Sequence, residues 1–234
     1  QHETGDLQPV KASHQETPGR RAKIDLTMPH SAAAYQAALN KLHEHLRGYV
    51  PMSKSDFRQI EPFLEIREFD KKVQVIREGE VERYLNVVAW GLARKYLPVR
   101  NREITIQLAR EGHMIHSELS FHFRVPSRSV VETIEPTVFF SVSYDSLEQL
   151  YLRFPGFERL GRLMITELFI KSDNRYFNQL KKSTRERFLE YVRNHPQMVQ
   201  RVPQKYLASF LNIKPETFSR LKHLTKGKPV KDRG

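Results

Sequence analysis

Residues 214–220 (KPETFSR) place a carboxylate, Glu216, and a guanidinium, Arg220, one helical turn apart, with the Thr217 and Ser219 hydroxyls between them and the Lys214 ammonium just before. On the exposed first turn of a helix these groups suit a nucleic-acid duplex. Arginine can bind guanine through two bonds, glutamate can accept from the cytosine amino group, and threonine, serine and lysine can hold phosphates. Pro215 and, from the preceding helix, Gln204 complete the candidate contacts. The plainer alternative is that Glu216 and Arg220 form only a surface ion pair on an ordinary helical hairpin.

Such side chains need a helix fixed from behind, and residues 201–221 (RVPQKYLASFLNIKPETFSRL) read as helix, tight turn, helix. Pro203 and Pro215 fit first-turn positions, where the missing N–H is an orphan in any case. Leu207, Phe210, Leu211, Ile213, Phe218 and Leu221 supply the packing positions, and Ala208 is small where the helices must cross. Asn212 falls at the turn, where asparagine tolerates left-handed backbone better than most residues. In helix-turn-helix proteins the second helix enters the major groove.

The charge distribution points the same way. The 234 residues carry a formal charge of +12, yet residues 1–150 hold 20 Lys+Arg against 20 Asp+Glu, while residues 151–234 hold 19 against 7. The whole excess belongs to one end, which favours contact with a polyanion. The last stretch, with Lys226, Lys228, Lys231 and Arg233, also admits a merely solvating role.

Upstream, residues 1–30 are polar, contain Pro9, Pro18 and Pro29 and show no apolar period, so they are expected to be disordered. Tyr35, Leu39, Leu42 and Leu46 then recur at helical spacing behind Ser31 as N-cap, and Ser53 or Ser55 caps a second short helix that ends near Pro62. Between about Ile66 and Tyr144 the period becomes two, with strands expected around Val73–Ile76, Tyr84–Trp90, Ile104–Leu108 and Val130–Ile134. Short strands at such intervals suggest a sandwich, barrel or jelly-roll-like β-roll. A long helix follows from about Phe157 to Leu180, more than one small domain needs. It reads either as a dimer seam, separable by charges at Leu160 and Met164 and with Gly161 allowing close approach, or as a buried connector. A short helix around Phe188, Leu189 and Val192 precedes a break at residues 194–196.

From residue 50 onward the sequence resembles the Crp/Fnr family of bacterial transcription regulators, because residues 215–220 are similar to that family's Arg-Glu-Thr-Val-Gly/Ser-Arg recognition run. The resemblance implies that Glu216 and Arg220 read bases and Thr217 touches phosphate, with Pro215 standing where an arginine is usual. It implies an α+β fold: an N-terminal antiparallel, jelly-roll-like β-roll flanked by helices, a long dimerisation helix, and a C-terminal helix-turn-helix domain. The few residues after Arg220 imply that the usual wing is truncated or absent, with the basic tail as a substitute. The corresponding units are a tail (1–30), a cyclic-nucleotide-binding-like sensor domain (31–145), the dimerisation helix region (146–182) and the DNA-binding domain (183–234). In family members that bind cyclic nucleotides, a Gly-Glu-Leu run and an Arg-Ser/Thr-Ala run ten residues later hold the ligand. Here Ser117, Glu118 and Leu119, then Arg128, Ser129 and Val130, keep that spacing, but Ser117 replaces the glycine and His116 resembles an insertion. A degenerate pocket is expected, with no cofactor and no firm cyclic-nucleotide binding.

His113, His116 and His122 match no metal-ligand spacing, and no catalytic constellation is present, so neither a metal nor an enzyme is expected. The absence of cysteine excludes disulfides and an iron–sulfur sensor. With no apolar run near the roughly 20 residues of a membrane helix and no secretory signal, a cytoplasmic location is expected. The partners expected are double-stranded DNA and a second copy of the chain, with RNA polymerase admissible and no membrane. The competing reading is a ligand-sensing module whose helical tail docks on a protein partner.

Overall fold

The computed structural model describes residues 32–226. The N-terminal tail, the Ser31 cap and the basic stretch from residue 227 lie outside the described residues.

Helices α1 (Ala32–Arg47) and α2 (Lys54–Ile60) come first, the second opened by a capping box in which Ser53 and Asp56 satisfy each other's backbone N–H. Pro62 enters a short 3₁₀ turn, Glu61–Phe63, that ends this segment. Eight strands follow, interrupted by one short helix: β1 (Glu65–Phe69), β2 (Gln74–Ile76), β3 (Tyr84–Trp90), β4 (Leu92–Val99), β5 (Arg102–Arg110), β6 (Met114–Ile115), α3 (Glu118–Phe123), β7 (Val130–Thr133) and β8 (Thr137–Ser143). They form two antiparallel four-stranded sheets, ordered β1-β8-β3-β6 and β2-β7-β4-β5, which make the expected β-roll. Gly91 turns β3 into β4 at φ +96°, and a Cβ there would strike the Pro136 carbonyl, so only glycine fits. Trp90, beside it, is 57% exposed.

Each sheet has buried apolar residues on both faces. Ile76, Val88, Ala93, Ala109, Ile115, Val131 and Phe139 fill the space between the sheets. The outer face of the first sheet offers Val87, Phe140 and Val142 to Leu39, Leu42 and Leu46 of α1, and to helix α4 (Tyr144–Arg153) and the start of α5 (Gly156–Lys181). The outer face of the second offers Leu92, Leu108 and Ile134 to the C-terminal helices. These are α6 (Thr184–Asn194), α7 (Pro196–Arg201), α8 (Gln204–Phe210) and α9 (Pro215–Lys226). Helix α7 was not expected: Pro196 opens it as a first-turn residue instead of ending the one before.

The 26-residue α5 is as long as expected, but its faces are used differently. Leu160 is buried and Met164, half-buried, packs beside it against the chain's own core. Gly161 makes room for the Tyr151 hydroxyl of α4, an approach within one chain. Farther along, Ile165, Phe169, Ile170, Tyr176, Phe177 and Leu180 stand exposed. Ile165, Phe169, Tyr176 and Leu180, spaced four, seven and four apart, share one stripe of the helix. Among the described residues no helix is long and apolar enough to cross a membrane.

Candidate nucleic-acid interface

Helices α8 and α9 meet at a turn built by Asn212, whose φ of +53° is left-handed as its residue type allows. The Asn212 N–H donates to the Ser209 carbonyl (3.1 Å) and the Ile213 N–H to that of Ala208 (2.9 Å), the two bonds of a Schellman cap. Arg187 of α6 closes the turn from outside, donating to the carbonyls of Leu211 (3.2 Å) and Asn212 (3.2 Å) and to that of Lys182 at the end of α5 (2.7 Å). Behind the turn Phe218 and Phe188 meet edge to face at 5.0 Å, sealed by Leu207, Ala208, Ile213 and Leu221. Pro215 is the first residue of α9, while Pro203 stands one place before α8. The front of α9 is thereby left open: Lys214, Pro215, Glu216 and Arg220 are exposed, and Thr217 and Ser219 half-buried. Gln204, at the start of α8, is half-buried.

The second group of sequence candidates surrounds α3, with Ser117 and Ser129 turned inward. Ser117, buried, precedes the helix at φ −89°, a conformation that needs no glycine, and its hydroxyl is hydrogen-bonded to that of Ser127 at 2.8 Å. Ser127 also bonds the carbonyl of Ser129 (2.7 Å), which is itself buried. The Glu118 carboxylate is taken on both oxygens by Lys95, a buried residue of β4 whose ammonium also donates to the His116 carbonyl (3.0 Å). Burial raises the Glu118 pKa, but the Lys95 ammonium, by its charge and its hydrogen bond, more than offsets this and holds it below the usual carboxylate range. His116, wholly buried, is pushed down to about 3 by burial and is therefore neutral, with neither ring nitrogen bonded among the described residues. Leu119 and Arg128 are exposed, and among the described residues no hydrogen bond or ion pair joins Arg128 to Glu118. No group of three or more His, Asp or Glu able to hold a metal is found among the described residues.

No family model matches the chain, and neither does any curated protein. Solved structures do. CLP, titled a c-di-GMP-responsive global regulator of Xanthomonas campestris, aligns over 78% of this chain and 96% of its own, with TM-score 0.61 and 16% identity. FixK2 of Bradyrhizobium japonicum aligns over 73% and 90%, with TM-score 0.58 and 19% identity. A mutant CooA of Carboxydothermus hydrogenoformans covers 74% and 83%, with TM-score 0.56 and 18% identity. The chain has the Crp/Fnr fold.

Within that fold, the residues joining the helix-turn-helix to the roll gave little sign in the sequence. Strand β4 sends Arg94 outward and Lys95 inward, and both are buried. Arg94 lies between the rings of Tyr96 (4.2 Å) and Tyr206 of α8 (3.7 Å) and pairs with Glu132 (2.9 Å) and Glu103 (2.6 Å). Arg201, last in α7, grips both oxygens of Glu111 (2.9 Å each), Glu135 (2.7 Å) and the Gly91 carbonyl (3.1 Å). The Ser209 hydroxyl accepts from the Thr105 N–H (2.9 Å) and donates to the Glu103 carbonyl (3.0 Å). The one available hint was a pair of charged residues, 94 and 95, inside an otherwise apolar strand pattern.

Proposed function

We propose that this chain is a transcription regulator that binds palindromic DNA sequence-specifically as a homodimer, and that it is not an enzyme. The observation that carries this reading is the open front of α9, where Glu216 and Arg220 are exposed on a helix fixed from behind by Phe188, Phe218 and the Asn212 turn. A rigid helix with free polar groups on its first two turns is what major-groove readout requires. Three further features support it: the charge excess in residues 151–234, the exposed apolar stripe of α5 suited to a second copy, and the likeness in fold to CLP, a global regulator. Thr217, Ser219, Lys214 and Gln204 hold the phosphates. RNA polymerase is the further partner in this reading, and the cytoplasm the place of action.

The sensor interior, in the same reading, takes no cyclic nucleotide, since Glu118 is already paired with Lys95 and Arg128 faces outward. Selection of binding sites from random duplex DNA tests the proposal. The expected result is a palindrome whose half-sites lie about 34 Å apart, one turn of B-DNA. Absence of any enriched sequence would overturn it.

A further inference from the structure

The contacts between the helix-turn-helix and its own β-roll are unlike a flexible tether. Arg201 uses Nε, Nη1 and Nη2 together, on Glu111, Glu135 and the Gly91 carbonyl. These acceptors come from three separate loops of the roll, and Glu111 is itself held by the Gly91 N–H at 3.1 Å. A planar guanidinium satisfied on several edges fixes orientation as well as distance, which a lysine could not do. A second point of attachment is the Arg94–Tyr206 stack, buried on the roll side by Glu132 and Tyr96. Ser209 on the edge of β5 is the third. These three attachments and the apolar contact with Leu92, Leu108 and Ile134 hold the module against the roll.

We infer that Arg201 is a positioning residue for DNA recognition: with the Arg94–Tyr206 stack and Ser209 it locks the recognition helix to the roll in one orientation, and so sets the half-site spacing that a dimer accepts. This rests on the DNA-binding reading above. With copies joined along α5, roll-to-roll geometry is fixed by that helix and module-to-roll geometry by the latch, so no joint remains to absorb a change of spacing. Displacing one half-site by a single base pair moves it along the groove and rotates it about the DNA axis, costing the second module its base contacts. Nothing in the latch touches the front of α9, so base preference within a half-site is independent of it.

The test measures binding to a panel of selected palindromes whose half-sites are moved together or apart by one and two base pairs. Wild-type protein is expected to lose about 10- to 100-fold in affinity at one base pair of displacement, the loss of one or more bidentate contacts. Arg201→Ala is expected to flatten this profile to within a few-fold while half-site sequence preference stays unchanged. Glu135→Gln, which keeps the Glu111 fork, is expected to flatten it partly, and Arg201→Lys is expected to resemble Arg201→Ala. A merely structural role would lower affinity at every spacing alike and leave the profile's shape intact, and that result in both Arg201→Ala and Glu135→Gln would overturn the inference. Failure of wild-type protein to select any palindrome would overturn the DNA-binding reading and this inference with it, an outcome distinct from an unchanged spacing profile.

Discussion

At the front of α9, Lys214, Glu216 and Arg220 face solvent while apolar neighbours do no more than hold the helix; around α3, Glu118, Ser117 and Ser129 are bonded to Lys95 and Ser127. Both regions carry residues of the type and spacing that ligands use. The difference lies in what stands behind them. An apolar backing leaves polar groups free for a partner, whereas a buried ammonium such as that of Lys95 must take a counter-charge from within reach.

The largest expected effect comes from removing the pairing of copies proposed above. Phe169→Glu with Leu180→Glu should give monomers in sedimentation at micromolar concentration and reduce operator affinity by about 10²–10⁴, the avidity of two linked modules. Leu160→Ala, in contrast, should cost about 2–5 kcal/mol of stability in urea titration without changing association, because that side chain is core. A dimer surviving the double substitution would end the α5 assignment.

Next in size is the open region itself. Arg220→Ala should cost about 1–3 kcal/mol on a selected site and relax preference at one base pair, while Lys214→Ala should weaken all sequences alike. Unchanged affinity and preference in Arg220→Ala would remove α9 as the reading helix.

The closed region responds asymmetrically. Glu118→Gln strands a buried ammonium and should destabilise by about 1–3 kcal/mol, below the range for a fully buried pair because Glu118 is partly exposed. Lys95→Met should change stability by less than about 1 kcal/mol. Acid acts on the same region. Burial pushes His116 to about 3 and His113 to about 4 from an ordinary 6.5. Between those limits the unfolded chain binds more protons, so stability is full above roughly pH 6.5 and falls as the pH drops toward 4. Glu118, held low, adds a loss below its ordinary range. The urea midpoint should follow this course, and His116→Phe should flatten it. A midpoint independent of pH from 7 to 4 would contradict the neutral buried imidazoles.

Smallest is the response to cyclic nucleotide. Cyclic AMP or cyclic GMP should bind more weakly than about 100 µM by calorimetry, since losing a paired carboxylate and close backbone donors weakens a site by two decades or more. A low-micromolar dissociation constant abolished by Arg128→Ala would reopen the pocket.

The helix-turn-helix was legible because its determinants are local: Asn212, Pro215 and the apolar positions around them lie within twenty residues and need no distant partner to be interpreted. The roll was legible as alternation, and Tyr84–Trp90 is a strand over the full span expected. Arg94 and Lys95 were not, since hydropathy assigns charged residues to the surface and only contacts with Tyr206, Glu132 and Glu118 show otherwise. On α5 the sequence left a dimer seam and a buried connector both open, and nothing short of the folded roll tells which of its apolar residues face inward. Arg201 read as the residue before a helix-turn-helix, because Glu111 and Glu135 lie far away in sequence.

Trp90 gives the corner where roll and helices meet an optical property. It is the chain's single tryptophan, exposed, and next to the glycine whose carbonyl Arg201 holds. Light absorbed near 295 nm therefore excites one fluorophore at one known place, and its emission and anisotropy follow that corner alone, without a label. Rotation of the helical module away from the roll would be visible as a change in colour and tumbling of that one indole, in real time and at the dilution at which DNA is bound.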